Sequence, residues 1–238
     1  MSTYEFPYEL DPNGPKGISL ESWLDKGKLG LLLVDYQNYW LDESFGSGSE
    51  IVWKPDSTRD YVIARYRDCV LPNTLELIET FRKLDLPIVF LRNASQDTEL
   101  KDIRGILKKV YAFELEDAAG EPYHMHHDEY ASQIVADVAP VAGDIVVSKT
   151  SMGAFGSSDI EGILRGNGIE SLVIAGGYTD ACIASTVRGA YDRGFLCTVV
   201  EDACISNVEA DHAATIRILE KFFAWVTKTK EVVANLTG

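Results

Sequence analysis

The chain has 238 residues, of which 46% are hydrophobic and 25% are charged, and its formal net charge is −15. This composition is typical of a soluble globular protein, and a chain of this length buries a sizeable core without disulfide or metal support. The acidic balance argues against nucleic-acid binding, which needs a basic face, and disfavours highly anionic substrates unless their pocket is locally basic.

The chain divides into an irregular N-terminal arm, residues 1–27, and one domain, residues 28–238. The start has neither the basic nor the apolar segment of a signal peptide. The longest apolar runs are strand-sized, far shorter than the ~20 residues of a membrane-spanning helix, so no membrane partner is expected. The four cysteines fit no metal motif and no small disulfide framework, which indicates a reducing compartment and a cytoplasmic protein.

Six apolar runs predict strands, at Leu29–Val34, Pro87–Leu91, Asp144–Val147, Leu172–Ala175, Leu196–Val200 and Phe223–Thr227. Helical patterns fall between them, at Arg59–Leu84, Tyr130–Val138, Asp159–Asn167, Ala181–Asp192 and Glu209–Phe222. Residues 42–57 are interpreted as a long loop, and residues 93–127 follow no clear pattern. The alternation predicts an α/β fold: a single doubly wound, Rossmann-like domain with a mostly parallel, roughly six-stranded sheet flanked by helices.

Ligands of such sheets bind beyond the carboxyl ends of the strands. Asp35 follows the first predicted strand, Lys149 the third, and Cys182 opens the helix after the fourth. Each has an ordinary alternative role: a turn cap, a solvated lysine and a small buried hydrophobe, respectively. Three such residues at three strand ends are better explained by one shared site, in which the helix end favours the thiolate of Cys182.

The other candidate motifs favour no second site. The sequence His124-Met125-His126-His127 could bind a metal, but a solvated loop is the better interpretation in this acidic, irregular segment. His212 is expected to be structural or on the surface. No glycine-rich nucleotide loop follows a strand, and no nucleophile elbow is present, so no cofactor is expected.

Three motifs resemble the isochorismatase-like cysteine hydrolases, a family that includes N-carbamoylsarcosine amidase and the ureidoacrylate and biuret hydrolases. They are the stretch from Leu32 through Asp35 to Trp40, the stretch from Val146 through Lys149 to Phe155, and the stretch from Ala175 through Thr179 to Cys182. The resemblance extends from about Leu29 to Leu236. Together, in this order and spacing, the three motifs are a specific signal of this family.

The resemblance implies a catalytic triad of Asp35, Lys149 and Cys182, and a cis peptide bond between Gly177 and Tyr178. The backbone N–H groups of Tyr178 and Cys182 would then form the oxyanion hole. A substrate pocket is expected from the following neighbouring residues: Gln37, Tyr39, Trp40, Asn93 and Phe155. The family also implies a homo-oligomer, a dimer or tetramer. No metal is expected, because the stretch 92–97, where nicotinamidases carry their metal ligands, has no histidine.

Departures from individual family branches narrow the expected activity. Nicotinamidases carry an Asp and two His after the second strand, whereas the stretch 92–97 here has no histidine. Isochorismatases proper generally lack the cysteine. We therefore expect an amidohydrolase that cleaves a C–N bond of a small amide, carbamoyl or ureido compound through a thioester. The alternatives are a vinyl ether hydrolase of the isochorismatase type and a non-catalytic binding protein.

Overall fold

The computed structural model describes residues 19–42, 45, 57–105, 107–108, 115–116, 119 and 121–238. Most of the predicted N-terminal arm and of the predicted loop at 42–57, and parts of the stretch 93–127, lie outside the described residues. Of the arm, the described part contains the helical turn α1, Leu20–Trp23, where we expected irregular chain; the side chain of Ser19 caps it by accepting a hydrogen bond from Ser22 N.

The strands are β1 Leu29–Val34, β2 Ile88–Asn93, β3 Leu115–Glu116, β4 Pro122–Tyr123, β5 Ile145–Lys149, β6 Ser171–Gly177, β7 Leu196–Ile205 and β8 Trp225–Thr227. Six of them form one sheet in the order β5-β2-β1-β6-β7-β8, in which every neighbouring pair is parallel. Strands β3 and β4 form a separate antiparallel pair. The predicted parallel α/β sheet is confirmed.

Strand β1 lies near the centre of the sheet, and all six of its residues are buried. Its side chains alternate between two cores: Leu31 and Leu33 contribute to one, and Leu32 and Val34 to the other. Burial on both faces explains the uninterrupted apolar run in the sequence, because helices cover both sides of a doubly wound parallel sheet.

The remaining helices are α2 Asn38–Leu41, α3 Ser57–Arg65, α4 Leu71–Lys83, α5 Ile160–Gly166, α6 Ala184–Tyr191, α7 Glu209–Phe222 and α8 Thr229–Thr237. A π-helical turn, Tyr66–Val70, joins α3 to α4, and a second one, Thr179–Ile183, precedes α6. None of the helices in the described part of the chain has the length and apolarity that crossing a membrane requires.

The helix predicted at Tyr130–Val138 is wrong. The segment instead forms two 3₁₀ turns, Tyr130–Ser132 and Ala136–Val138, separated by extended chain. Besides the short bonds within each turn, its backbone bonds to the residues after β1: Asn38 N donates to Gln133 O at 3.0 Å, and Val135 N donates to Tyr36 O at 2.9 Å. These long-range bonds outweigh the local helical preference.

Gly176 allows β6 to approach β1 closely where the strands lead into the site. Its φ is +127°, and a Cβ atom there would lie 2.1 Å from Val34 O. We expect Gly176→Ala to lower the free energy of unfolding by about 3 kcal/mol or more, because the left-handed backbone and the overlap both have to be relieved. Urea unfolding followed by circular dichroism measures the change.

Gly143 provides the matched control, since its φ is +103° but an added Cβ would have no atom within 4 Å. Gly143→Ala then measures backbone strain alone, about 1–2 kcal/mol. Equal losses of stability in the two variants would contradict the close approach of β6 to β1.

Candidate active site

The carboxyl ends of three strands bring the predicted triad together. Asp35 follows β1, Lys149 ends β5, and Cys182 lies in the π-helical turn after β6. Lys149 Nζ is 2.8 Å from Asp35 Oδ2 and 3.4 Å from Cys182 Sγ. The three side chains therefore meet in one cluster, with Asn93 from the end of β2 beside them.

Lys149 is completely buried, and its ammonium group contacts both other members of the predicted triad. Besides Asp35 and Cys182, its ammonium group donates to Ser151 O at 3.1 Å. Burial alone would lower the pKa of Lys149, but the neighbouring Asp35 carboxylate and Cys182 raise it by more. The lysine is therefore a fixed positive charge beneath the thiol.

The two carboxylate oxygens of Asp35 differ in the hydrogen bonds that they accept. Oδ2 accepts hydrogen bonds from Lys149 and, at 3.0 Å, from Asn93 Nδ2. Oδ1 is buried and accepts no hydrogen bond from the residues that the structure describes. Burial raises the pKa of Asp35 above its ordinary value, although Lys149, Cys182 and Asn93 oppose this. One oxygen of a buried, basic carboxylate is thus left available to accept a proton.

Cys182 is buried, and its resting thiol is protonated. Burial and the nearby Asp35 carboxylate raise the pKa of Cys182 to about 12, against the opposing effect of Lys149. The expectation that the helix end favours the thiolate is therefore wrong for this resting site, because desolvation and a like charge outweigh a helix end. A protonated thiol needs a base, and Asp35 is the base beside it.

The π-helical turn that contains Cys182, together with Tyr178 before it, carries the two backbone N–H groups expected in the oxyanion hole. The Gly177–Tyr178 peptide bond is cis. Tyr178 O accepts hydrogen bonds from Ala181 N and Ile183 N, both at 3.1 Å, so these two amides are already satisfied. The Tyr178 N–H makes no hydrogen bond to the described part of the chain, which leaves it free for a ligand oxygen.

Asn93 and Gln37, both expected in the pocket, differ in what they can still bind. Asn93 Nδ2 donates to Asp35 and lies 3.7 Å from Cys182 Sγ, whereas its Oδ1 is buried and has no partner in the described part of the chain. The Asp35 carboxylate fixes this amide orientation, because a flipped amide would place two oxygens together. Asn93 Oδ1 is therefore an acceptor available to a substrate N–H.

Gln37, by contrast, makes hydrogen bonds to the backbone. Its Nε2 donates to Asn93 O and Ser132 O, each at 2.8 Å, and its Oε1 accepts from Asn93 N at 2.8 Å. Both of its amide hydrogens are occupied, so Gln37 has no donor left for a substrate. It holds the end of β2 in place and so positions Asn93.

The aromatic residues expected in the pocket pack against different neighbours. Trp40 donates to Asp35 O at 2.6 Å, and its ring packs on Tyr178 with the ring centroids 4.8 Å apart. Half-buried Tyr39 packs against two hydrophobic clusters. The ring of Phe155 instead packs on Phe195, at 5.6 Å between centroids. Trp40 and Tyr178 thus pack together beside Asp35, whereas Phe155 packs against the hydrophobic cluster that contains Cys182.

Sequence reasoning missed two neighbours of the site. The sulfur of Met152 lies 3.8 Å from Cys182 Sγ, and its position three residues after Lys149 is the only sequence signal that could have found it. His212, expected to be structural or exposed, is buried and bonds through Nδ1 to Thr179 Oγ1 at 2.8 Å. Burial, aided by Arg65, lowers the pKa of His212 to about 4, so a neutral imidazole holds the first residue of the π-helical turn.

The histidine-rich segment forms its own small cluster. Among the described residues, the ligand atoms of His126, His127 and Asp128 lie within 4.8 Å of one another. His126 and His127 are half-buried, and Asp128 is exposed. Exposed acidic groups such as Asp128 are common without a metal, and within the described residues the cluster makes no hydrogen bond to the triad.

Comparison with known proteins agrees with this geometry. A family model described as the isochorismatase domain matches residues 30–231. The ureidoacrylate amidohydrolase RutB of Variovorax paradoxus (strain S110) is 34% identical over 104 residues, which cover 43% of this chain and 41% of that protein. The chain thus matches less than half the length of this curated relative.

Solved structures match over most of the chain. A putative isochorismatase hydrolase from Oleispira antarctica has a TM-score of 0.65 at 25% identity, covering 88% of this chain and 97% of that one. N-carbamoylsarcosine amidase from Thermoplasma acidophilum has a TM-score of 0.59 at 21% identity, covering 85% and 96%, and shares the fold. Since the family model spans most of the sequence, the chain belongs to the isochorismatase domain family.

Proposed function

We propose that this protein is a cysteine-dependent amidohydrolase that cleaves a C–N bond of a small amide, carbamoyl or ureido compound and releases ammonia or an amine. The observation that carries the proposal is the buried Asp35 carboxylate. One of its oxygens is held by Lys149 and the other has no hydrogen-bond partner among the described residues, beside a Cys182 thiol whose pKa burial and Asp35 raise to about 12. Asp35, Lys149 and Cys182 are the proposed catalytic triad.

In the first half-reaction, Asp35 takes the thiol proton and the Cys182 sulfur attacks the substrate carbonyl carbon. The Tyr178 and Cys182 backbone N–H groups receive the resulting oxyanion, a contribution of about 3–4 kcal/mol for each donor of this type. The C–N bond then breaks, and protonated Asp35 gives its proton to the leaving nitrogen. The products are a free amine and a Cys182 thioester.

In the second half-reaction, a water molecule attacks the thioester carbon while Asp35 takes one of its protons. The C–S bond breaks, and Asp35 returns that proton to the sulfur. This restores the thiol and releases an acid. Lys149 stays protonated throughout, because its raised pKa keeps its charge beneath the sulfur and the carboxylate.

The substrate class rests on the comparisons and on one contact. The curated relatives matched here are named ureidoacrylate amidohydrolases, and a structure with the same fold is an N-carbamoylsarcosine amidase. The unpartnered Asn93 Oδ1 can accept a hydrogen bond from the N–H that such substrates carry. The homo-oligomer and the cytoplasmic location expected from the sequence stay predictions.

An ammonia-release screen with purified protein tests this proposal. Nicotinamide, biuret, maleamate, and carbamoyl and ureido compounds are the substrates to compare. We expect turnover of amide or ureido compounds that iodoacetamide abolishes. Turnover insensitive to iodoacetamide would favour the ether hydrolase. An unreactive thiol without turnover would favour the binding protein, which the linked Asp35, Lys149 and Cys182 make the weaker alternative.

The pH dependence of kcat/KM tests the assignment of the base. Protonated Asp35 cannot accept the thiol proton, so the rate falls as pH drops through its pKa. That pKa is raised, so the fall occurs at higher pH than for an ordinary aspartate. No alkaline fall is expected below about pH 10, because Lys149 and Cys182 both titrate higher. A profile that instead rises through about pH 8.5, the ordinary thiol pKa, would assign the reaction to free thiolate.

A further inference from the structure

His212, near the start of α7, links three elements of the fold through a buried imidazole that the proposed mechanism does not use. Its Nδ1 is 2.8 Å from Thr179 Oγ1, and its Nε2 is 3.2 Å from Arg65 Nη2. Only 5% of the residue is exposed. Both ring nitrogens are therefore bonded to protein groups, one from the π-helical turn that contains Cys182 and the other from the end of α3.

Arg65 decides which nitrogen of this imidazole carries the hydrogen. A guanidinium stays charged and only donates hydrogen bonds, so the Nε2 atom that faces it has to be the acceptor. The hydrogen of the neutral ring is then on Nδ1, which donates it to Thr179 Oγ1. The lowered pKa of His212, about 4, keeps the ring neutral near pH 7. The bond to Thr179 consequently has one direction, from the histidine to the hydroxyl oxygen.

Arg65 is itself held in place from two sides. Its Nη1 is 3.6 Å from Glu209 Oε2, and its Nη2 and Nε donate to Cys204 O at 3.2 and 3.3 Å. Cys204 belongs to β7, and Glu209 begins α7. The guanidinium therefore connects the histidine to the sheet, and a rotation of the imidazole would break both of its hydrogen bonds.

The residue that His212 holds belongs to the turn that carries the proposed nucleophile. Thr179 is the first and Cys182 the fourth residue of this π-helical turn. Between them, Asp180 Oδ1 accepts a hydrogen bond from Ser206, which follows β7. Two successive side-chain bonds thus fix the start of the turn against α7 and the end of β7. The turn sets the position of the Cys182 sulfur, and an error of about 1 Å in such a position can cost about 100-fold in rate.

We propose that His212 is a positioning residue for the hydrolysis: through Thr179 it orients the π-helical turn so that the sulfur and the backbone N–H of Cys182 meet the substrate carbonyl together. This inference rests on the proposed amidohydrolase function. It assigns neither proton transfer nor substrate contact to His212, because both ring nitrogens are already bonded. A histidine that only fills the core would contribute to stability and not to kcat.

Two substitutions separate the two hydrogen bonds of His212. Asparagine places an amide nitrogen near the position of Nδ1 and can still donate to Thr179, whereas glutamine reaches the position of Nε2 and keeps only the contact with Arg65. We expect His212→Gln to lower kcat about 10- to 100-fold with KM within about threefold of wild type. His212→Asn should keep kcat within about threefold of wild type. Steady-state ammonia release on the best substrate measures both variants.

Substitutions of Thr179 test the same bond from its other end. Thr179→Val removes the hydroxyl and should reproduce the loss of kcat in His212→Gln, whereas Thr179→Ser keeps the hydroxyl and should restore most of the rate. The double variant His212→Gln, Thr179→Val should lose no more than either single variant, because each of the three breaks the same bond.

Thr229 supplies the matched control. It is buried like Thr179, and its hydroxyl donates to Asp202 Oδ1 at 2.9 Å at the start of α8. We expect Thr229→Val to lose stability as Thr179→Val does but to keep the wild-type kcat. Equal losses of kcat in His212→Asn and His212→Gln would overturn the inference, and so would a His212→Gln variant within about threefold of wild type or one changed only in KM.

Hydrogen exchange gives a second test that does not depend on turnover. Ala181 N and Ile183 N both donate to Tyr178 O around the π-helical turn. We expect His212→Gln to accelerate exchange of these amides at least about tenfold more than that of the β1 amides, measured by mass spectrometry. Acceleration no greater in the turn than in β1 overturns the inference. Selective acceleration in a protein that hydrolyses none of the amides would contradict only the proposed hydrolysis.

Discussion

Replacing Cys182 with alanine is expected to lower kcat on the best amide substrate by about 10⁴- to 10⁶-fold while leaving the fold intact. The sulfur forms the bond to the substrate carbon, and none of the neighbouring side chains offers another nucleophile at the same position. Cys182→Ser should lose nearly as much, because the carboxylate of Asp35 is too weak a base for a hydroxyl. The measurement is steady-state ammonia release, with circular dichroism to verify folding.

Cys204 provides the matched control for this substitution. It is also fully buried, burial also raises its pKa to about 12, and its thiol lies against Ile174 O in the core. We expect Cys204→Ala to keep the wild-type kcat/KM at a small cost in stability. Turnover by Cys182→Ala within about tenfold of wild type would contradict the proposed nucleophile.

The second large effect concerns the buried ion pair. Lys149→Met should lower the free energy of unfolding by about 3–5 kcal/mol, because it leaves the Asp35 carboxylate buried without its charge partner. The double variant Asp35→Asn, Lys149→Met removes both charges and should recover most of this stability. Urea unfolding of the two single variants and the double variant completes the thermodynamic cycle.

An exposed pair with the same separation serves as the control. Lys28 Nζ is also 2.8 Å from a carboxylate, that of Glu170, but the two side chains are 51% and 55% exposed. Lys28→Met should cost at most about 1 kcal/mol, since water screens that pair. Two outcomes would show that burial does not govern the contribution of the Asp35–Lys149 pair to stability. One is a similar loss of stability in Lys28→Met and Lys149→Met. The other is a double variant no more stable than Lys149→Met.

The sequence predicts best those elements whose pattern is local. The bounds of β1 and of α7 agree with the apolar run and the helical periodicity that predicted them. Strand β7 is five residues longer than predicted, through Glu201 and Asp202 to Ile205. The Asp202 carboxylate accepts hydrogen bonds from the backbone and hydroxyl of Thr229, which begins α8. That partner is 27 residues away, so a local pattern cannot reveal it.

The same distinction applies to the site. Asp35, Lys149 and Cys182 were predictable as neighbours because parallel strands place their carboxyl ends at one edge of the sheet. The role of Gln37 in holding the end of β2 was not predictable, since its partners Asn93 and Ser132 lie 56 and 95 residues away. The pKa of Cys182 was not predictable either, because it depends on burial and on the nearby Asp35 carboxylate.

The formation of a Cys182 thioester is the central claim, and partitioning of that intermediate tests it most directly. Hydroxylamine is added to turnover of several substrates that share one acyl group but release different amines, and the ratio of hydroxamate to acid is measured. A common thioester predicts one ratio for all of these substrates, with no product from Cys182→Ala. A ratio that changes with the leaving amine would contradict the thioester and the account built on it.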